Sequence, residues 1–238
     1  MFYFILPTLM TYNFILMAAA VIPALFLMVK VYQSDRLEKE SPAMLLSLVK
    51  AGIFSSLIAL VSERVFSGLL SLAVRDARLY QILLYFVVVA FSEEGAKYFM
   101  LRRNSWASPE FNCQYDGVVY AVFISLGFAL WENLSYVMQY GFSAAVVRAV
   151  TAIPGHTCFG VFMGVFYGLS KHHAVRGRSD NAGRCSVLAV LVPALLHGAY
   201  DYIATTQSGN LAFIVFIALL FFASYHLTAK VSREDRYL

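Results

Sequence analysis

The sequence predicts an all-α, polytopic membrane bundle of about seven transmembrane helices. Three observations predict it. Hydrophobic residues make up 60% of the 238 and charged residues only 13%, where a soluble domain carries about 45–50% and about 25%. Mean hydropathy is +0.69. The apolar residues also gather into seven runs, each near the length of roughly 20 residues that a spanning helix needs.

The runs cover about residues 10–32, 43–69, 79–101, 115–140, 143–170, 186–206 and 210–230. No Lys or Arg precedes the first, so it lacks the basic start of a cleavable signal peptide and is expected to be retained. The second is the least regular, because Lys50, Glu63 and Arg64 interrupt it. The third ends in a charged motif, and the fourth is apolar from Val118 to Trp131. The fifth holds Pro154 and four glycines, and the sixth holds a His and an Asp. No linker, low-complexity tract or internal repeat divides the chain. A single integral-membrane domain over residues 1–238 is expected, with 207–238 forming the last helix and a tail.

Basic residues orient the bundle. The connections after runs one, three and five carry Lys30, Arg36, Lys39, Arg102, Arg103, Lys171, Arg176, Arg178 and Arg184, and the tail carries Lys230, Arg233 and Arg236. The other connections carry only Arg75 and Arg78. This asymmetry predicts an outside N-terminus and a cytoplasmic C-terminus. The net charge of +4 arises from these loops and speaks for anionic lipid rather than nucleic acid. Cys113, Cys158 and Cys185 form no Cys-x-x-Cys pair, and no structural disulfide is expected.

Seven ionisable side chains stand out inside the runs: Glu93, Glu94, Lys97, Glu132, His156, His197 and Asp201. Such groups are costly in hydrocarbon, so they face partners or a wet cavity and mark function. Lys97 is three or four residues from each of two carboxylates and within reach of both. Two adjacent carboxylates resist double ionisation, a division that suits general acid–base work. Glu132 and Asn133 follow a long apolar stretch. His156 heads a stripe with Gly160, Gly164 and Gly168 at a four-residue period, which suits close helix packing. Arg148, eight residues before His156, could contact the same cavity but reads better as an interface anchor, and Cys158 falls on the opposite side of the helix from His156. His197 and Asp201 lie one turn apart, a spacing at which a carboxylate can orient an imidazole. The plain alternatives are an internal ion pair for Glu93, Glu94 and Lys97, a headgroup contact for Glu132, and a helix-joining hydrogen bond for His197 and Asp201.

Helical rise tests whether these residues share a level. Glu132 is about 24 Å from Asp116, His156 about 22 Å from Lys171, and His197 about 20 Å from Arg184, all toward the outer half. Glu94 is only about 12 Å from Arg102, short by two turns. A third helix that projects past the membrane would account for this, as would a tilt or a break of the fourth at Gly127.

Three motifs in order, Glu93-Glu94-x-x-Lys97, Phe128-x-x-x-Glu132 and His197-x-x-x-Asp201, resemble those of the PrsW family of intramembrane proteases. The chain is also distantly similar to CAAX-type prenyl endopeptidases and bacterial immunity proteases. Asp35-Arg36-Leu37-Glu38-Lys39-Glu40 looks like the acidic–basic stretch of the PrsW family, and the resemblance covers about residues 20–206. It implies a hydrolase of the bacterial or archaeal plasma membrane. Such an enzyme makes the first cut in a single-span membrane protein such as an anti-sigma factor, in regulated intramembrane proteolysis. The implied catalytic set is Glu93, Glu94, Lys97, Glu132, His197 and Asp201.

Two mechanisms remain open on these residues. In a glutamic mechanism, Glu93 or Glu94 activates water and His197, oriented by Asp201, donates to the oxyanion. In a metal-dependent one, a divalent ion such as zinc sits among Glu94, Glu132, His156 and His197, although no His-Glu-x-x-His signature is present. An ion- or proton-coupled transporter would use the same Glu, His and Asp groups. A tethered reporter discriminates, because a carrier cuts none. A non-catalytic scaffold predicts that isosteric changes reduce folding first.

Overall fold

The computed structural model describes residues 2–206 and 210–238, with side chains described for 14–206 and 211–238. The helices are α1 (Phe2–Ser34), α2 (Pro42–Ala73), α3 (Ala77–Leu83), α4 (Ala90–Ser105), α5 (Asp116–Tyr140), α6 (Phe142–Val150), α7 (Ala152–Val175), α8 (Ser179–Thr205) and α9 (Asn210–Arg233). A π-helical segment, Leu84–Val89, joins α3 to α4. Among the described residues there are seven stretches long and apolar enough to cross a membrane. Local chemistry sets several starts. Ser41 accepts from Met44 N at 3.1 Å and is followed by Pro42, and Asp76 accepts from Leu79 N at 2.7 Å. Both residues satisfy otherwise orphaned N–H groups.

Burial follows the sequence pattern. α5 is apolar on every side, and such a helix belongs inside. Of its most apolar window 78% is buried, against 11% for α9. α5 is the axis, with α7, α2 and α1 packed around it, and α8 lies between α7 and α4. The glycine stripe on α7 lets it approach α5 closely: a Cβ on Gly117 of α5 would lie 2.6 Å from Gly168 N, and one on Gly160 would lie 2.9 Å from Ser125 Oγ. Backbone dispersion contacts of this kind replace the hydrophobic drive that lipid removes.

Two expectations are corrected, one for α5 and one for the fifth run. α5 is unbroken at Gly127, which instead packs against the Val49 backbone of α2. α2 continues through Lys50, Glu63 and Arg64 as the expected spanning helix, so these residues interrupt its apolar pattern and not the helix. The fifth run is two helices, α6 and α7, broken at Thr151. Pro154 therefore lies in the first turn of α7, where its missing N–H leaves no gap in the ladder.

At one end of the bundle three segments meet: the α1–α2 loop, the α4–α5 loop and the C-terminal residues. Glu110 accepts from Ser41 N at 2.9 Å and from its hydroxyl at 3.0 Å. Gln114 N donates to Arg236 O at 3.1 Å and Leu238 N to Asn112 O at 2.8 Å.

Candidate active site

α4 carries Glu93, Glu94 and Lys97 on one side, and the helix repeat aims all three inward. Lys97 Nζ lies 2.7 Å from Glu94 Oε1 and 3.3 Å from Glu93 Oε2. It also lies 3.2 Å from His156 Nδ1 and sits over the Phe128 ring, 4.1 Å from its centroid. Glu94 and Lys97 are wholly buried. The π segment just before α4 is met by α8 at Gly198, where a Cβ would lie 2.8 Å from the Phe86 ring. That contact brings His197, the preceding residue, onto Glu94: Nδ1 is 2.9 Å from Oε1. Phe159 of α7 stacks on His197 at 4.8 Å between centroids and fixes the ring plane.

His156 spans the level difference that helical rise exposes. Its Nδ1 faces Lys97 and its Nε2 lies 2.8 Å from Glu132 Oε2. An ammonium only donates, so Nδ1 accepts and Nε2 carries the proton that Glu132 receives. The spacing of Phe128 and Glu132 thus has a purpose, since one turn separates the face under Lys97 from the carboxylate that holds His156. Asp116 is a poor depth mark for α5, because it is itself buried beneath the loops at that end.

Glu132 has a second partner. Arg148 NH2 donates to Glu132 Oε2 at 2.8 Å and its Nε to Asn133 Oδ1 at 2.9 Å, while Asn133 Nδ2 donates to Ala20 O at 2.8 Å. The Arg148 guanidinium also lies over Tyr136 at 4.1 Å. Arg148 is therefore part of the site rather than an interface anchor, because the break at Thr151 turns α6 so that it faces α5.

Asp201 also departs from expectation. Its Oδ2 lies 3.6 Å from His197 Nε2, beyond an ordinary hydrogen bond. The carboxylate that orients His197 is Glu94, on the other ring nitrogen.

A cavity of about 730 Å³ opens onto this constellation, lined by Glu63, Glu93, Glu132, His156, His197 and Asp201 among others. Glu94 and Lys97 lie behind its wall. A larger groove of about 890 Å³ runs between α1, α7 and α9, past Cys158, and no carboxylate lines it. The three cysteines are free. Oxygen and nitrogen atoms of Glu93, Glu94 and His156 lie within 4.8 Å of one another, close enough for one metal ion. Glu132 falls outside that set of three.

Residues 40–227 match the family described as PrsW family intramembrane metalloprotease. The chain belongs to the PrsW family. It is 37% identical over 136 residues to Protease PrsW of Bacillus subtilis (strain 168), a match that covers 56% of this chain and 61% of that protein. It is 33% identical over 188 residues to Protease PrsW of Clostridioides difficile (strain 630), covering 77% and 76%. With Protease PrsW of Shouchella clausii (strain KSM-K16) it shares 29% over 220 residues, covering 92% and 97%. No solved structure matches.

Within this PrsW-family chain two residues of the site lie outside the catalytic set that the motifs imply. Glu63 reads as an interruption of α2 yet lines the cavity. Arg148 sits eight residues from His156 across a break that the apolar pattern hides. Pro154 was the available signal, because a proline in a first turn marks a helix start a few residues earlier.

Proposed function

We propose that the chain is an intramembrane endopeptidase that hydrolyses a peptide bond of a single-span membrane protein, such as an anti-sigma factor, in a bacterial plasma membrane. We place its N-terminus outside and the basic loops in the cytoplasm. The observation that carries the reading is the cavity that Glu93, His156 and His197 share, with the Glu94–Lys97 pair behind it.

Glu93 and Glu94 take different roles in this reading. Glu93 lines the cavity, and as general base it takes a proton from the attacking water. Glu94 is enclosed between Lys97 and His197 and positions both. A carboxylate accepts only, so His197 Nδ1 carries a proton toward Glu94 and Nε2 is left facing Asp201 at the cavity wall. In the doubly protonated imidazolium form, which the carboxylates of Glu94 and Asp201 on its two sides favour, Nε2 also carries a proton and donates to the oxyanion of the tetrahedral intermediate. Glu132, held by Arg148, keeps His156 in the tautomer whose Nδ1 lone pair faces inward.

The donors fit a zinc-like ion. Two carboxylates and an imidazole are an ordinary zinc set, and Glu94 Oε2 is buried without a partner. Glu93, Glu94 and His156 would hold the ion, with His197 beside Glu94. When bound, it would polarise a carbonyl or acidify a water. Lys97 Nζ already contacts all three donors, so the ammonium and the ion compete for the same place.

The test is cleavage of a tethered single-span reporter by purified protein in liposomes. Wild type should cut it and Glu93→Gln, folded as judged by a cooperative melt, should not. Equal cutting by the variant would remove Glu93 from the chemistry, and no cutting by wild type would favour a carrier.

A further inference from the structure

A second cluster of acids lies at the other end of α5, outside the proposed active site. Asp35 and Glu40 come from the α1–α2 loop and Asp116 from the first turn of α5. All three are buried, at 3%, 3% and 1% exposure. One oxygen of each lies within 4.8 Å of the others. Asp116 Oδ2 accepts from Cys113 N at 2.6 Å and Asn112 N at 3.0 Å, and Glu40 Oε2 accepts from the Tyr120 hydroxyl at 2.7 Å. Both oxygens of Asp35 and Oε1 of Glu40 lack a well-formed hydrogen bond, although the backbone N–H groups of Leu37 and Glu38 lie near the Asp35 carboxylate.

Three carboxylate oxygens without a well-formed hydrogen bond are costly in a protein interior, since each loses its water without full replacement. The nearest cation relieves them only in part. Lys39 Nζ is spent on the backbone carbonyls of Tyr32, at 2.6 Å, and Asp35, at 2.5 Å. Among the described residues none of the three acids forms an ion pair with a basic side chain. Burial raises the Asp35 carboxyl, against a partial pull downward from Lys39, and pushes Glu40 up to about 7.

We infer that Asp35, Glu40 and Asp116 form a binding site for a hard divalent cation of the Mg²⁺ or Ca²⁺ kind. An all-oxygen donor set with no nitrogen or sulfur selects that class over zinc or copper. The cation ties the α1–α2 loop to the start of α5, the helix whose far end carries Glu132. It would thus brace the axis of the bundle, and it is separate from any ion at Glu93, Glu94 and His156.

Terbium reports on such a site, because Tyr120, hydrogen-bonded to Glu40, is placed to sensitise it. Chelator-treated full-length protein in detergent should show tyrosine-excited terbium emission that Ca²⁺ or Mg²⁺ displaces, and Ca²⁺ or Mg²⁺ should raise its melting temperature. Asp35→Asn should weaken terbium by more than about tenfold, since even outer partners of a metal ligand cost that much. Glu40→Gln serves if Asp35→Asn does not fold, and Glu94→Gln, which disables the intramembrane donors, should retain the emission. Equal emission from wild type and the folded Asp35 or Glu40 variant overturns the site, as does its loss in a Glu94→Gln protein that melts cooperatively. Should both loop variants fail to fold, wild type alone decides: no emission and no melting shift mean that the acids hold protons, not a cation.

Discussion

His197 Nδ1 lies 2.9 Å from Glu94 Oε1, and this contact joins α8 to α4 inside the membrane. It sets the two adjacent glutamates apart. Glu94 is committed to His197 and Lys97, while Glu93 reaches the cavity. Glu93→Gln should therefore lower kcat by about 100- to 10,000-fold, the usual worth of a general base, with a smaller loss of melting temperature than Glu94→Gln, because its contact with Lys97 is the longer one. Glu94→Gln should also lower activity, but with a stability loss of about 1–3 kcal/mol, because two buried donors lose a charged acceptor. Thermal melts beside reporter cleavage separate the two. Equal destabilisation by both variants would contradict the division.

Arg148 makes two hydrogen bonds from one guanidinium, to Glu132 and Asn133. Arg148→Ala should lower stability by about 1–3 kcal/mol by leaving both groups underpaired. Arg148→Lys should recover little, because an ammonium lacks the planar fork that spans two acceptors. Full rescue by lysine, in melts or in cleavage, would show that charge alone matters.

The fold was legible because lipid imposes a simple composition rule, and the three motifs were legible because ionisable residues stand out against it. Spacing of three or four residues on one helix showed that Lys97 meets Glu93 and Glu94. It did not show which carboxylate meets His197, because that depends on how α4 is rotated after the π segment Leu84–Val89. Nor could it show that Asp201 stands off from His197 while Glu94 takes its place, since a contact between α4 and α8 leaves no periodic trace. The anchor reading of Arg148 fails for a related reason: one apolar run conceals two helices. The acids at Asp35, Glu40 and Asp116 meet across about 80 residues of sequence, and spacing carries no information at that range.

The α5–α7 contact is a backbone-to-backbone fit, and it predicts a steep size dependence. Gly164→Val should prevent folding, because even a Cβ there would lie 2.5 Å from Gly117 O. Gly95 lies inside the Glu-Glu-x-x-Lys motif yet faces open space, with nothing within 4 Å of a Cβ. Gly95→Ala should be neutral, or stabilising by up to about 1 kcal/mol from helix propensity. Expression and detergent melts of both variants test this. A Gly164→Val protein with wild-type melting would mean that the two helices pack otherwise.

Lys97 holds the same three donors that would hold a metal, so removing it should reveal them. Lys97→Met leaves Glu93 and Glu94 buried without their shared cation, and breaking a buried pair costs about 3–5 kcal/mol. An ion that binds only the folded form restores stability by mass action. The variant should therefore melt lower than wild type in chelator and gain more from added zinc than wild type does. Adding His156→Ala to Lys97→Met should abolish that gain, because the imidazole is the one nitrogen donor among the three. Melting curves read the outcome without any need for activity. If zinc leaves the Lys97→Met curve unmoved, the lysine is the permanent counter-charge, and the water is activated by Glu93 alone.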